Sequence, residues 1–268
     1  MIVVHCALMC EAKPIVDQYG LKQVLQKPFR IYANKKIYLL VSGLGKTNTA
    51  VALGIAYGML SKTDSAWLNV GIAGSGNAAI GQIILVNKNV DVTSGDVWYP
   101  PQIWDFDIPQ GELHTLEKPS QDYLPNIAYD MEAAGFFEVA TKFSTSELVQ
   151  SIKVVSDNKL SGIDKIDKAY VENLILECLP LLSSVIDKMN SISEDTIALQ
   201  DDVLQLDSFF DKWHFSVSQQ TQLRKVLQRF KVVFPDRDLG PEDFLDIRTS
   251  RALIQHIAAL VDKHPIIF

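Results

Sequence analysis

Acidic side chains occur where apolar segments change into helix-favouring ones. In Tyr129-Asp130-Met131-Glu132-Ala133, a short apolar lead-in ends abruptly, which places Met131 and Glu132 at the carboxyl end of a strand where a helix begins. In an open α/β sheet this is where ligands bind, so carboxyl groups there are candidates for ligand binding or proton transfer. The alternative is that Asp130 and Glu132 are N-terminal helix acids that complement the helix dipole.

Two more acids occupy comparable positions. Glu11 follows the apolar segment 1–8 and lies in a predicted strand-to-helix turn. Asp157 comes directly after Ser156 near the end of Ile152–Asn158, which reads as the last core strand. Simple structural roles are open for both acids, because Glu11 could be a first-turn helix acid and Asp157 could cap the following turn.

Two glycine-rich turns are predicted to follow strands. One is Gly43–Asn48, which opens a helix over about 47–60, and the other is Gly71–Gly76. Such turns present backbone N–H groups to an oxygen-bearing ligand. Gly45-Lys46-Thr47 is not a P-loop, because Leu40 stands where that motif requires glycine.

Four segments in order resemble the nucleoside phosphorylase and nucleosidase superfamily, nearest to the methylthioadenosine/S-adenosylhomocysteine nucleosidases. They are Ala7–Glu11, Ser42–Lys46, Asn69–Gly74, and Asp130–Ala133 followed by Val155–Asp157. The resemblance covers about residues 1–190, and its Met-Glu-Ala and Ser-Asp pieces are the most specific. It implies a three-layer α/β/α sandwich with a central mixed sheet.

The resemblance also implies roles for single residues. Cleavage of a purine N-ribosidic bond passes through a ribosyl cation, so the base needs a proton and the sugar needs an oriented nucleophile. Asp157, beside Ser156, would protonate or hydrogen-bond the purine at N7, and Glu11 would position and deprotonate water. Glu132 would accept hydrogen bonds from the ribose hydroxyls, with Met131 packing against the sugar. The backbone around the nucleophile would come from Gly43, Gly45, Gly71, Ala73 and Gly74.

The chain departs from the family pattern in two places. Ile72 stands where the family usually has a hydroxyl residue, and the stretch between Ile84 and Ile127 is too short for the usual strand, helix and strand. We expect the irregular segment 91–126 to complete the base pocket, with Trp98 and Trp104 stacking on the base. These aromatics could instead pack onto the core.

The expected activity is hydrolysis of the N-glycosidic bond of a purine nucleoside, with adenine as the expected base, without cofactor or metal. Phosphorolysis is the nearest alternative, although phosphate normally demands an arginine in the glycine turns and neither turn contains one. A catalytically silent nucleoside-binding or scaffolding protein is a third reading, supported by Ile72 and the shortened segment. A small-molecule nucleoside is thus the expected ligand, and the resemblance implies a homodimer.

Composition argues against several other classes. A net charge of −7 and a pI near 5.2 argue against a nucleic-acid binder. Three cysteines cannot form a complete disulfide set, which favours a reducing cytoplasm, and the His and Cys spacing is not that of a zinc site. No uninterrupted apolar run appears long enough to cross a bilayer, so we expect no membrane association.

The pattern predicts two domains. A helix over about 167–189 closes the α/β domain, and the polar stretch 191–200 suggests a boundary, giving domains 1–192 and 193–268. The second domain is predicted to be helical, with a helix start at Gly240–Asp243. Its apolar residues recur at helical spacing in two runs, which are Leu223, Val226, Leu227 and Phe230, and Leu253, Ile257, Leu260 and Val261.

Overall fold

A computed structural model describes residues 1–60, 65–103, 106–120, 122–161, 166–202 and 206–264, and of residues 194–202 it describes the backbone alone. The chain divides into two compact units, Met1–Glu194 and Asp195–Phe268. The first is a mixed α/β unit with a large sheet, and the second is helical.

The described strands all belong to the first unit. They are β1 (Ile2–Cys6), β2 (Lys22–Leu25), β3 (Arg30–Ala33), β4 (Ile37–Val41), β5 (Ala66–Ser75), β6 (Ile83–Asp91), β7 (Val97–Trp98), β8 (Gln110–Thr115), β9 (Ile127–Asp130) and β10 (Val149–Asn158). The helices that begin in this unit are α1 (Met9–Tyr19), α2 (Lys46–Met59), α3 (Ala133–Phe143) and α4 (Lys168–Asp202), with a short 3₁₀ helix at Ser146–Leu148.

The sheet is mixed, as predicted. Its order is β10-β6-β8-β9-β5-β1-β4-β3-β2, and β7 pairs with β6. Because β10 also pairs with β5, the strands β5, β10, β6, β8 and β9 form a closed circuit. The parallel neighbours β1, β4, β5 and β10 end at the same edge, which brings the segments that follow them together.

Side chains from alternate positions of each core strand enter different apolar clusters, as a pleated strand requires. In β1, Ile2 and Val4 join one cluster while Val3 joins the other. The first cluster also contains Ile15 of α1 and several residues of α4, and the second contains residues of α2 and α3. The helices therefore cover the sheet in two groups, α1 with α4 and α2 with α3.

Helix α4 is longer than the sequence predicted. It continues through 191–200, because a polar composition without proline or glycine does not end a helix. By length and composition alone, its segment Lys168–Ser193 could cross a membrane, but Glu172 and Glu177 interrupt it, so it is not an uninterrupted apolar run. In the most apolar 18-residue stretch of this segment, 44% is buried inside the protein. Residues such as Leu182 and Ile186 pack in the core of the first unit.

Two further predictions are corrected in β5 to β9. The proposed turn at Gly71–Gly76 is mostly strand, because β5 stays paired with β10 from Trp67 to Ser75. The segment 91–126, predicted to be irregular, contains β7 and β8, and β8 completes the ladder between β6 and β9.

The second unit consists of helices around its own core. They are α5 (Leu206–Lys212), α6 (Val217–Val233), a 3₁₀ helix (Pro241–Phe244) and α7 (Ser250–Asp262). The helix start predicted at Gly240 is thus that of the 3₁₀ helix, and α7 begins ten residues later. Leu223, Phe230, Leu253 and Ile257 are buried in one apolar cluster, in agreement with their helical spacing.

Candidate active site

A cavity of about 160 Å³ lies in the first unit where β1, β5, β9 and β10 end. Seven of the residues predicted for the site line it: Glu11, Ala73, Gly74, Met131, Glu132, Ser156 and Asp157. Segments separated by more than a hundred residues in sequence therefore converge on one space. Further lining residues, which the sequence reasoning did not select, include Leu116, Lys118, Tyr123 and Tyr129.

Glu11 is buried at the start of α1 and joins two elements. Its Oε2 accepts the Leu8 N–H at 2.7 Å, and its Oε1 accepts the Ile72 N–H at 3.0 Å. Burial raises the pKa of Glu11, while these amides and the charge of Lys153 oppose the rise. A Cβ on Gly71 would lie 3.0 Å from Oε1, so only glycine leaves comfortable room for the carboxylate. Glu11 is thus both a first-turn helix acid and a cavity residue.

Lys153 is a fully buried cation that sequence reasoning missed. Its Nζ lies 2.8 Å from Oδ2 of Asp130, which also accepts the Ala133 N–H, while Thr115 donates to the other Asp130 oxygen. Burial alone would lower the pKa of Lys153, but the charges of Asp130, Glu132 and Glu11 raise it overall. The ammonium therefore stays charged and compensates a group of buried carboxylates.

Glu132 is the residue directly before α3. Its Oε1 accepts the Gly45 N–H at 2.8 Å and its Oε2 accepts the Met131 N–H at 3.3 Å. Burial and then the charge of Asp130 raise the pKa of Glu132 to about 7, although Lys153 and the Gly45 amide act against the rise. Glu132 can therefore change protonation state near neutral pH.

Asp157, the second-last residue of β10, has both carboxyl oxygens engaged. Ser156 Oγ donates to Oδ1 at 2.7 Å, and Tyr123 Oη donates to Oδ2 at 2.5 Å. The β10 register places Asp157 opposite Gly74 of β5. The side chain is buried and borders the cavity, so its geometry is fixed from two sides.

Comparisons by structure give the fold. A 5′-methylthioadenosine nucleosidase from Arabidopsis thaliana matches with a TM-score of 0.59 and 18% identity, over 70% of this chain and 95% of the other. A mutant Helicobacter pylori nucleosidase with 5′-methylthioadenosine in its active site matches with a TM-score of 0.58 and 14% identity, over 70% and 98%. The 5′-methylthioadenosine/S-adenosylhomocysteine nucleosidase from Campylobacter jejuni matches at 0.55 and 17%, over 70% and 97%.

The chain has the nucleosidase fold. No protein-family model matches its sequence, and a search of curated proteins finds no match. Identities of 14–18% explain this difference, because a fold persists at identities where sequence comparison no longer detects it.

The Gly43–Asn48 turn was predicted to present backbone N–H groups to a ligand, but in this nucleosidase fold the N–H groups of Gly43 and Gly45 are bonded within the protein. The Gly43 N–H donates to the Ala7 carbonyl at 2.9 Å, and the Gly45 N–H donates to Glu132. These two amides instead fix the turn against β1 and the start of α3. Of this turn, Leu44 is the residue that lines the cavity.

The structure places Trp98 away from the cavity, which corrects its expected contact with the base. Trp98 lies on β7, and its ring stacks with Phe137 of α3 at 6.4 Å between centroids. Trp104 lies outside the described residues. The segment 91–126 does reach the cavity, but through Leu116, Lys118 and Tyr123. The sequence signal that could have found Tyr123 is its aromatic ring two residues before the proline that leads into β9.

A buried Ser-His-Asn arrangement lies nearby and could be mistaken for a nucleophilic triad. The Asn69 amide nitrogen lies 2.8 Å from Nδ1 of His5, and Ser151 donates to the Asn69 oxygen, so Nδ1 must accept. The Nε2–H of His5 then donates to Ser42 Oγ at 2.8 Å. Burial, followed by the charge of Lys153, lowers the pKa of His5 to about 3. A donor cannot deprotonate Ser42, so this network is structural.

No group of three or more His, Cys, Asp or Glu side chains in the described part of the chain is arranged to hold a metal ion. The arrangement that is present consists of carboxyl groups in different environments around one cavity. Such an arrangement can divide proton donation from proton acceptance.

Proposed function

We propose that the chain hydrolyses the N-glycosidic bond of a purine nucleoside, with adenine as the base. The observation that carries the proposal is the convergence of Glu11, Met131, Glu132, Ser156 and Asp157 on one cavity. Support also comes from the fold, because structures that share it include nucleosidases named for 5′-methylthioadenosine.

In the proposed reaction, water adds to C1′ of the sugar while the bond from C1′ to the base nitrogen breaks. The electron pair of that bond goes to the base, which receives a proton at N7 from Asp157. Ser156 Oγ holds Oδ1 of Asp157, so Oδ2 is the oxygen that the base would meet. The products are the free base and the free sugar.

We assign Glu11 to the water, whose proton its carboxylate accepts. Its pKa, raised by burial, makes it a stronger base than an exposed glutamate. Glu132 accepts hydrogen bonds from the ribose hydroxyls and Met131 packs against the sugar. Lys153, beneath the cavity, balances the charges of Asp130 and Glu132 and so allows them to remain buried together.

Phosphorolysis is the weaker alternative. A phosphate dianion normally requires an arginine with two parallel N–H donors, and the described residues that line the cavity include none. Turnover should therefore not depend on added phosphate. A strict requirement for phosphate would replace hydrolysis by phosphorolysis.

The first prediction tests the function directly. Purified protein is incubated with adenosine, 5′-methylthioadenosine, S-adenosylhomocysteine and inosine, and release of free base is followed by chromatography. Asp157→Asn should lower the rate of base release by about 10²- to 10⁴-fold, the usual contribution of general acid–base catalysis. The melting temperature should hardly change, since asparagine still fits between Ser156 and Tyr123.

The control is Asp96→Asn, which makes the same chemical change in an exposed turn. It should leave base release unchanged. A destabilised Asp157→Asn variant with full activity per folded molecule would show that Asp157 is structural. Absence of base release from the wild-type protein would favour the silent nucleoside-binding reading.

Other features remain predictions. We propose that the α/β unit is a three-layer α/β/α sandwich, with support from the two apolar clusters on opposite faces of its strands. The domains 1–192 and 193–268, a homodimeric assembly and a cytoplasmic location are proposed on the sequence reasoning given above.

A further inference from the structure

Tyr123 lines the cavity beside Asp157. Its side chain is only 5% exposed, although it belongs to the connection between β8 and β9. Its ring stacks on that of Tyr129, with 5.1 Å between centroids and 26° between planes, and its hydroxyl donates to Oδ2 of Asp157. A planar aromatic ring thus presents a hydrogen-bond donor to the carboxyl group proposed to protonate the base.

The wall of the cavity is shaped around this phenol. A Cβ on Gly74 would lie 2.2 Å from Tyr123 Oη and 3.0 Å from Asp157 Oδ2, so only glycine allows the hydroxyl to reach the carboxylate. Burial, and then the bond to Asp157, raise the pKa of Tyr123. The hydroxyl therefore keeps its proton and remains a donor.

The volume of the cavity also indicates that the Tyr123 side chain takes up space that a ligand would need. The present volume of about 160 Å³ is below the roughly 300–1,000 Å³ that is usual for ligand pockets. With Ser156 on Oδ1 and Tyr123 on Oδ2, each carboxyl oxygen of Asp157 already accepts a hydrogen bond, so a purine has to compete with these two hydroxyls. Rotation of the Tyr123 side chain out of the cavity would enlarge it and free Oδ2.

We propose that Tyr123 is an internal competitor for the purine base: its phenol fills the base subsite, stacked on Tyr129 and bonded to Asp157, and the base must displace it. The inference rests on the proposed function for the identity of the ligand. Displacement breaks a hydrogen bond to a carboxyl group, and that cost weakens nucleoside binding. Tyr123 would then set how tightly the resting enzyme holds a free base.

The test compares adenine affinity by isothermal titration calorimetry in the full chain and its variants. Tyr123→Phe removes the bond to Asp157, and Tyr123→Ala removes the ring as well. Tyr123→Phe should bind adenine about tenfold more tightly, because the base no longer has to break the hydrogen bond from the phenol to Asp157, and one hydrogen bond contributes up to about a tenfold factor in affinity. Tyr123→Ala should bind at least as tightly as wild type.

Tyr170→Phe is the matched control, since Tyr170 Oη donates to the Ser156 carbonyl beside Asp157 without lining the cavity. Its adenine affinity should stay within about twofold of wild type. Circular dichroism melting verifies that each variant is folded.

Tighter adenine binding in Tyr123→Phe, including binding detected only in that variant, supports the inference. Equal or weaker binding overturns it, and so does the absence of binding in every variant, because nothing would then displace the ring. If binding weakens and kcat for base release falls, Tyr123 is instead a residue that positions Asp157. Base release is measured separately, so tighter binding without cleavage would retain this inference and reject the proposed hydrolysis.

Discussion

The cavity of the α/β unit and the core of the helical unit use buried volume differently. Around the cavity, Glu11, Asp130, Glu132, Lys153 and Asp157 are all buried. In the described residues 206–264, the buried side chains are apolar, and the ion pair between Arg229 and Asp262 is exposed. One region keeps charges out of water, and the other leaves them in it.

This difference implies that buried side chains affect the free energy of unfolding differently in the two regions. Burial of a charge is costly unless the charge is paired and hydrogen-bonded, so a cluster such as Lys153 with Asp130 needs a reason other than stability. An apolar core stabilises a fold without such cost. The helical unit is therefore built for packing, and the cavity is built for chemistry.

The second prediction applies the same type of substitution to both regions. Lys153→Met leaves Asp130 and Glu132 buried without their counter-ion, and should destabilise the fold by about 3–5 kcal/mol. Arg229→Met removes an exposed partner of Asp262, and should cost no more than about 1 kcal/mol. Chemical denaturation of the full chain measures both changes.

The double variant Lys153→Met with Asp130→Asn removes one of the uncompensated charges. It should recover part of the lost stability, which a purely steric effect of methionine would not allow. Equal losses from Lys153→Met and Arg229→Met would remove the contrast between the two regions.

The third prediction concerns pH. The folded pKa of Glu132 is about 7, above its ordinary value of 4.5, so its favourable contribution is full below pH 4.5 and is lost as pH rises through 7. Glutamine resembles the protonated acid and still offers an oxygen to the Gly45 N–H. Glu132→Gln should therefore stabilise the protein at pH 8 by about 3 kcal/mol and have little effect at pH 4.5.

Glu112→Gln is the control with the opposite sign. Burial alone would raise the pKa of Glu112, but hydrogen bonds from His114 and Lys88 lower it overall. Its contribution is present above the unfolded pKa and is lost as pH falls through the folded pKa, so Glu112→Gln should destabilise at neutral pH. Melting temperatures measured from pH 4.5 to 8 distinguish the two. A Glu132→Gln variant that is less stable at pH 8 would contradict the raised pKa of Glu132.

Sequence predicted the parts of the site that depend on local pattern. Glu11, Glu132 and Asp157 each stand at a change from strand to helix or turn, and such changes are visible along the chain. The helical spacing of Leu223 and Leu253 likewise predicted the core of the second unit, because a helix repeats its buried face every three or four residues.

Sequence could not predict contacts that depend on strand pairing. In the sequence, Lys153 is a single charged residue within an apolar run, and nothing nearby in the chain identifies its partner. Its partner is Asp130 of β9, which only the fold brings next to β10. Trp98 and Tyr123 belong to the same long segment, but the pairing of β7 with β6 places Trp98 against α3, and the connection between β8 and β9 brings Tyr123 to the cavity. Composition likewise failed at 191–200, where polar residues continue helix α4.

The last prediction has the smallest effect and concerns helix caps in the two regions. In α6, Ser216 Oγ accepts the Gln219 N–H while the Gln219 side chain accepts the Ser216 N–H. In α1, Glu11 makes the equivalent return bond to Leu8, but its other oxygen holds Ile72 and borders the cavity. The cap of α6 therefore serves only its helix. Glu11 at the start of α1 serves its helix and also the candidate reaction at the cavity.

Ser216→Ala should destabilise the helical unit by about 1 kcal/mol, the usual cost of losing an N-cap, and leave base release per folded molecule unchanged. Glu11→Gln keeps one acceptor oxygen for two backbone N–H groups, those of Leu8 and Ile72, so it should cost about 1–3 kcal/mol of stability. It also removes the proposed base and should lower base release per folded molecule by about 10²-fold or more. Melting curves and base release measured on both variants give the comparison. Loss of activity in Ser216→Ala would show that this cap is more than structural. Full activity in Glu11→Gln would show that Glu11 is not the base.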